Sequence, residues 1–219
     1  MKKIALLVII LGLAGSMSAQ WRVGVSAGGD YNLYSINTQY QIDYQYKGMW
    51  GASASIFAQY DFLDWLGLRW ELEMVQKNHR FSRTLYSGTN YNTWNTYLQL
   101  PVMAQMSFGG KKVRGFVNAG VYAGCWVDSY LKGHIYNTLT DKTEDLNQPY
   151  DFYSKRDQRV DFGLAGGLGI EYRITDHWAI HAEGRCYYSF ISCAKQYMRI
   201  KDYRYNTTLC MQIGCSYIF

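Results

Sequence analysis

From Trp21 to Phe219 apolar side chains recur at every second position, the period of a β-strand rather than a helix. Eight segments follow this rule: 21–34, 49–62, 66–76, 96–108, 113–127, 160–172, 178–190 and 206–219. In the second, the apolar parity is Trp50, Ala52, Ala54, Ile56, Ala58, Tyr60 and Phe62. In the third it is Leu66, Leu68, Trp70, Leu72 and Met74. Tight connections follow the second, fourth and sixth segments, around Leu63-Asp64, Gly109 to Lys112 and Arg173 to His177. The other connections, 35–48, 77–95, 128–159 and 191–205, are long. Short turns at one end and long loops at the other are the asymmetry of outer-membrane barrels. The expected fold is therefore all-β, an eight-stranded antiparallel transmembrane β-barrel in up-and-down order.

The glycines of Val160 to Tyr172 invite a dinucleotide-binding reading, but such a loop opens a helix. Here Val160, Phe162, Leu164, Gly166, Leu168, Ile170 and Tyr172 alternate with Asp161, Gly163, Ala165, Gly167, Gly169 and Glu171. A short turn and a second alternating segment follow, so the stretch reads as a hairpin.

Charge sharpens the picture. Lys2 and Lys3, the apolar run Ile4 to Leu13 and small residues up to Ala19 read as a secretory signal peptide over 1–19, with the barrel domain over 20–219. Of the 22 basic residues, Lys2 and Lys3 lie in that leader, leaving 20 against 17 acidic, a net +3 that argues for no nucleic acid. The long loops hold 13 basic and 8 acidic residues, and the short turns 3 of each, with Asp61 at the end of the second segment counted with its turn. The strand faces opposite the apolar ones hold the remaining 4 basic (Arg22, Arg69, Arg114, Arg185) and 6 acidic (Asp30, Glu71, Glu73, Asp161, Glu171, Glu183). The apolar faces hold none, as lipid requires. Aromatic residues sit ten apart on those faces: Trp21 and Tyr31, Trp50 and Tyr60, Phe162 and Tyr172, Trp178 and Tyr188. Ten residues at ~3.4 Å, tilted about 40°, rise roughly 26 Å, the height of a bilayer-spanning band between two aromatic girdles. A soluble ligand barrel would have the opposite polarity.

These features resemble the PorT-type outer-membrane β-barrel family of Bacteroidetes. The carriers are Tyr97-Leu98-Gln99-Leu100-Pro101, the strand Phe162 to Tyr172 and the closing Gly214-Cys215-Ser216-Tyr217-Ile218-Phe219. The resemblance spans essentially the whole chain after the leader. It implies a porin-like small barrel in the bacterial outer membrane, and one branch of the family takes part in protein secretion. Pro101 cannot donate to a strand ladder, and a bulge is expected there, as with the family's own proline.

An eight-stranded lumen is just wide enough for side chains to fill. Arg69, Glu71, Glu73, Glu183 and Arg185 are expected to form a polar plug in it, and a narrow porin for small solutes is the alternative. Nothing places a nucleophile beside a base. His181 faces inward near Glu183, and His79 and His134 fall in loop regions, so a non-enzymatic protein is expected. No motif calls for a metal or cofactor. Cys193 and Cys210 flank one loop and could pair, although lone cysteines commonly serve as small apolar residues. The Tyr- and Arg-rich loops suit surface recognition. Expected partners are outer-membrane lipid, lipopolysaccharide through Arg80, Arg83, Arg199, Lys201 and Arg204, and an envelope protein. Surface interaction or envelope structure is thus the expected role, and a PorT-like accessory of secretion a further alternative.

Overall fold

The computed structural model describes residues 20–37, 43–85, 88–195 and 203–219. The leader expected over residues 1–19, together with Arg199 and Lys201, lies outside the described residues. The described chain forms ten strands: β1 (Gln20–Asn37), β2 (Tyr44–Leu63), β3 (Leu66–Gln76), β4 (His79–Arg83), β5 (Asn90–Gly109), β6 (Val113–Asn137), β7 (Lys142–Pro149), β8 (Val160–Arg173), β9 (Trp178–Ser189) and β10 (Tyr203–Ile218). Every pairing is antiparallel. Strand β1 bonds to β2 on one edge and to β10 on the other. From β2 the ladders run through β3, β5, β6, β8 and β9 to β10, so the pairings return to their start. That circuit leaves no open sheet edge among its strands, which a bilayer demands.

The expected count of eight strands is corrected to ten. Strands β4 and β7 lie within segments read as loops: β4 pairs with β2 and β5, and β7 pairs with β6. Strands β5 and β6 also extend beyond their expected limits, to Asn90 and Asn137. The reason is physical. Beyond the membrane no lipid enforces alternation, so polar strands such as Lys-Thr-Glu-Asp-Leu-Asn-Gln-Pro over β7 carry no period-two signal.

The two faces have the inverted polarity of a membrane protein. Outward Trp50, Met211 and Leu168 are 71%, 75% and 68% exposed, whereas inward Arg69 and Glu73 are 2% and 0% exposed. The girdle pairs fall in register: Trp21 faces Tyr60 at one end and Tyr31 faces Trp50 at the other, with ring centroids 5.0 and 5.2 Å apart.

The bulge expected at Pro101 is also corrected. The β3–β5 register is the same on either side, Trp70 opposite Val102 and Glu73 opposite Gln99, and the ladder is interrupted between them. Pro101 removes one donor without inserting a residue. On its other edge Pro101 keeps its place opposite Tyr122. The register shift in β5–β6 lies instead at Thr96/Tyr97.

Candidate functional site

Strands β3 and β9 lie on opposite sides of the ring and send charged side chains across it. Arg185 grips Glu71 with both terminal nitrogens, Nη1 at 2.7 Å from Oε2 and Nη2 at 2.8 Å from Oε1. Its Nε donates to Glu183 Oε1 at 2.5 Å. Arg69 lies 2.5 Å from Glu71 Oε1 and 3.4 Å from Glu183 Oε2, with its guanidinium 3.8 Å above the Phe57 ring. Two guanidiniums thus share two carboxylates, and the forked Arg185–Glu71 pair fixes their geometry. Glu73 is held differently. Tyr187 Oη (2.5 Å), Gln99 Nε2 (2.7 Å) and Gln212 Nε2 (2.5 Å) donate to it, and Tyr187 in turn accepts from Arg185. All five expected lumen residues therefore join one network.

The network reaches further than the sequence reading did. Lys77, expected in a loop, is fully buried, with Nζ 2.6 Å from Asp161 Oδ2 and near the rings of Tyr97 and Tyr122. Ser189 Oγ donates to the other oxygen of Asp161 at 2.5 Å. Toward the short turns, Arg22 pairs with Glu171 and with Asp61, the latter at 3.0 Å. His181 is one more lumen member, 3.1 Å from Ser26 Oγ and edge-on to Phe57. The glycines of β8 make the room. A Cβ on Gly167 would stand 2.7 Å from the Gly184 carbonyl and 2.8 Å from Asn118 Oδ1, and Asn118 is the side chain that donates to Glu183.

Past the outer girdle a crown of aromatic rings stands on the ring of strands. Trp126 stacks between Tyr97 and Tyr150, at 5.9 and 5.6 Å, and meets Phe152 edge-on. Arg159 Nε donates to the Trp126 carbonyl, and Asp157 bridges to Ala194, tying residues 150–159 to the segment before the last strand. On the opposite rim His79 stacks on Tyr34 at 4.1 Å, and Phe81 packs among Tyr44, Tyr46 and Tyr91. Cys193 and Cys210 are both free thiols, Cys193 beside the Tyr34 hydroxyl and Cys210 buried.

Burial, reinforced by Arg204, pushes the His79 imidazole down to about 3. Asn95 Nδ2 donates to its Nδ1 at 3.3 Å, which fits a neutral ring. An unfolded histidine titrates near 6.5. Stability of the crown is therefore full above that value and falls as pH drops toward 3. Amide protection factors in β4, taken relative to the intrinsic exchange rate at each pH, are expected to fall between pH 7 and pH 4, and His79→Phe to remove most of that fall. An equal fall in the variant would place the sensitivity elsewhere.

The three described candidates for lipopolysaccharide contact are not brought together. Arg83 pairs with Asp43, and Arg204 lies 5.9 Å from the Tyr46 ring, within the crown. Arg80 stands apart on the exposed outer wall, its Nε donating to Asn92 Oδ1 at 2.8 Å.

A closed antiparallel circuit, apolar outside and charged inside, is the construction of an integral outer-membrane β-barrel. The chain belongs to the family of outer membrane protein beta-barrel domains, whose family model matches residues 4–219. Its place is accordingly the outer membrane. None of the curated proteins matches it. Among solved structures, the outer membrane protein OprG from Pseudomonas aeruginosa aligns at 13% identity with a TM-score of 0.52, over 94% of this chain and 98% of that one. The outer membrane protease OmpT from Escherichia coli aligns at 9% identity with a TM-score of 0.53, over 94% and 100%. Neisserial surface protein A aligns at 13% identity with a TM-score of 0.47, over 90% and 96%. At these identities the likeness is one of fold.

Proposed function

We propose that this protein is a non-enzymatic, non-conducting outer-membrane barrel that holds an aromatic and charged crown at the cell surface for interaction or envelope structure. The observation that carries the reading is the Arg69–Glu71–Arg185–Glu183 crossing, whose four side chains are each at least 96% buried. Solutes would have to break the bidentate Arg185–Glu71 pair and displace Tyr187 and Met103, both fully buried beside it. The crown adds a second obstruction, with Trp126, Tyr150 and Phe152 packed above Tyr97. The narrower kinship with PorT-type barrels is part of this reading and rests on the 97–101, 162–172 and 214–219 motifs. A role in secretion would need an envelope partner that co-purifies with the chain.

The test is single-channel conductance of the refolded protein in a planar bilayer. The expected result is a heat-modifiable, correctly folded barrel that gives no reproducible open steps. Open steps abolished by a lumen blocker would replace this reading with the narrow porin.

A further inference from the structure

Three cations form one cross-strand row on the outer wall of the extracellular sheet. Lys47 on β2 lies directly opposite Arg80 on β4, Arg80 opposite Asn92 on β5, Asn92 opposite Lys132 on β6, and Lys132 opposite Asn147 on β7. Lys47, Arg80 and Lys132 are exposed, while their neighbours His79, Phe81 and Thr93 are buried on the inner side. The row therefore faces away from the crown, on the wall that continues the lipid-facing surface.

Like charges directly opposite one another destabilise a sheet. Lys47 and Arg80 nevertheless adjoin, and among the described residues none of the three cations has an ion-pair partner. The acids on the same wall do not fill the gap. Asp145 is hydrogen-bonded to His134 at 2.8 Å, and Asp128 lies four residues back along β6 from Lys132, beyond Tyr130. An external anion would convert this repulsion into attraction.

Height identifies the anion. Lys47 stands three residues beyond girdle residue Trp50, roughly 8 Å above it at ~3.4 Å per residue and about 40° of tilt. That is the level of lipid headgroups. One step toward the membrane from Asn92 and Lys132, Trp94 faces Tyr130 on the same wall, and the Tyr130 hydroxyl donates to Asn147 Oδ1 at 3.1 Å. Amphipathic rings beneath and cations above match a phosphorylated glycolipid, acyl chains down and phosphates up. We propose that Lys47, Arg80 and Lys132 form a docking row for the phosphates of an outer-leaflet glycolipid of the lipopolysaccharide type. The inference depends on the outer-membrane location and not on whether the lumen conducts.

The experiment titrates lipid A into the full protein held in neutral detergent micelles, read by native mass spectrometry. Wild type should bind lipid A and lose most of that binding with the dephosphorylated lipid. The triple variant Lys47→Gln/Arg80→Gln/Lys132→Gln should bind on the order of 100-fold more weakly, at about one tenfold step or less per cation near an anionic headgroup. Lys111→Gln/Lys112→Gln, which neutralises two cations at the opposite end, should bind as wild type. Equal binding of both lipids, equal loss in the two variants, or unchanged affinity in the triple variant would each overturn the proposal. Displacement of lipid A by inorganic phosphate at matched concentration would also overturn it, because the site would then be one for free anions. Were the triple variant to lose its heat-modifiable fold, the comparison of the two lipids on wild type would still decide.

Discussion

Ala54→Arg is expected to block insertion into the outer membrane, whereas Ser55→Arg is expected to give a folded barrel of lower stability. The two residues are adjacent on β2, midway between the girdle residues Trp50 and Tyr60. Ala54 faces lipid and Ser55 is buried in the lumen. An arginine facing lipid at mid-membrane costs about 2–4 kcal/mol. Its guanidinium has no water and no counterion within reach. An arginine at Ser55 overpacks a filled interior, at about 1–3 kcal/mol. That cost is offset in part, because Ser55 lies opposite Glu73, a carboxylate held by neutral donors alone, and the Ser55 hydroxyl has no hydrogen-bond partner to lose. Both variants would be scored by the heat-modifiable gel shift after refolding into vesicles and by their yield in the outer-membrane fraction. Equal tolerance of the two would reject the assignment of faces along the whole strand, since a one-residue slip exchanges every side chain between lipid and lumen.

That single-residue sensitivity explains which parts of the molecule could be read from the chain. Between the girdles the solvent changes abruptly from lipid to lumen across one strand, so the sequence must alternate. The β3 limits agree with the structure, and the inward charges fall where parity put them. Outside the girdles both faces of a strand can be polar, and β4, β7 and the outer reach of β6 left no periodic trace. Lys77 marks the boundary. Lys77, Asn78 and His79 are three consecutive polar residues, which break the alternation and read as the start of a loop, yet all three are buried. Tyr187, Gln99 and Gln212 had the inward parity, yet an uncharged side chain gives no hint that it will serve a carboxylate on another strand. The Lys47–Arg80–Lys132 row shows the same limit from the other side. It exists only through the register of four strands, and spacing along the chain carries no record of register between distant loops.

Glu71→Gln is expected to lower the stability of the barrel by about 3–5 kcal/mol, the cost of leaving a buried charge without its partner. Glu71 is the carboxylate that both guanidiniums contact, Arg185 through two hydrogen bonds and Arg69 through a third close approach. Glutamine keeps the shape and one acceptor but removes the negative charge, so Arg69 and Arg185 are left to share Glu183. The loss would appear as a lower denaturant midpoint for protein in lipid vesicles. Removing a guanidinium together with the carboxylate separates lost charge balance from lost packing. In Glu71→Gln/Arg69→Met one cation and one anion disappear together, and the double variant should be more stable than Glu71→Gln alone even though it carries more changes. Conductance supplies an independent reading of the same imbalance. An uncompensated guanidinium draws water into the bore, so Glu71→Gln should show brief open steps that the double variant lacks. A Glu71→Gln barrel within about 1 kcal/mol of wild type and electrically silent would mean that the four charges do not depend on one another. The crossing between β3 and β9 would then lose its standing as the element that closes the lumen.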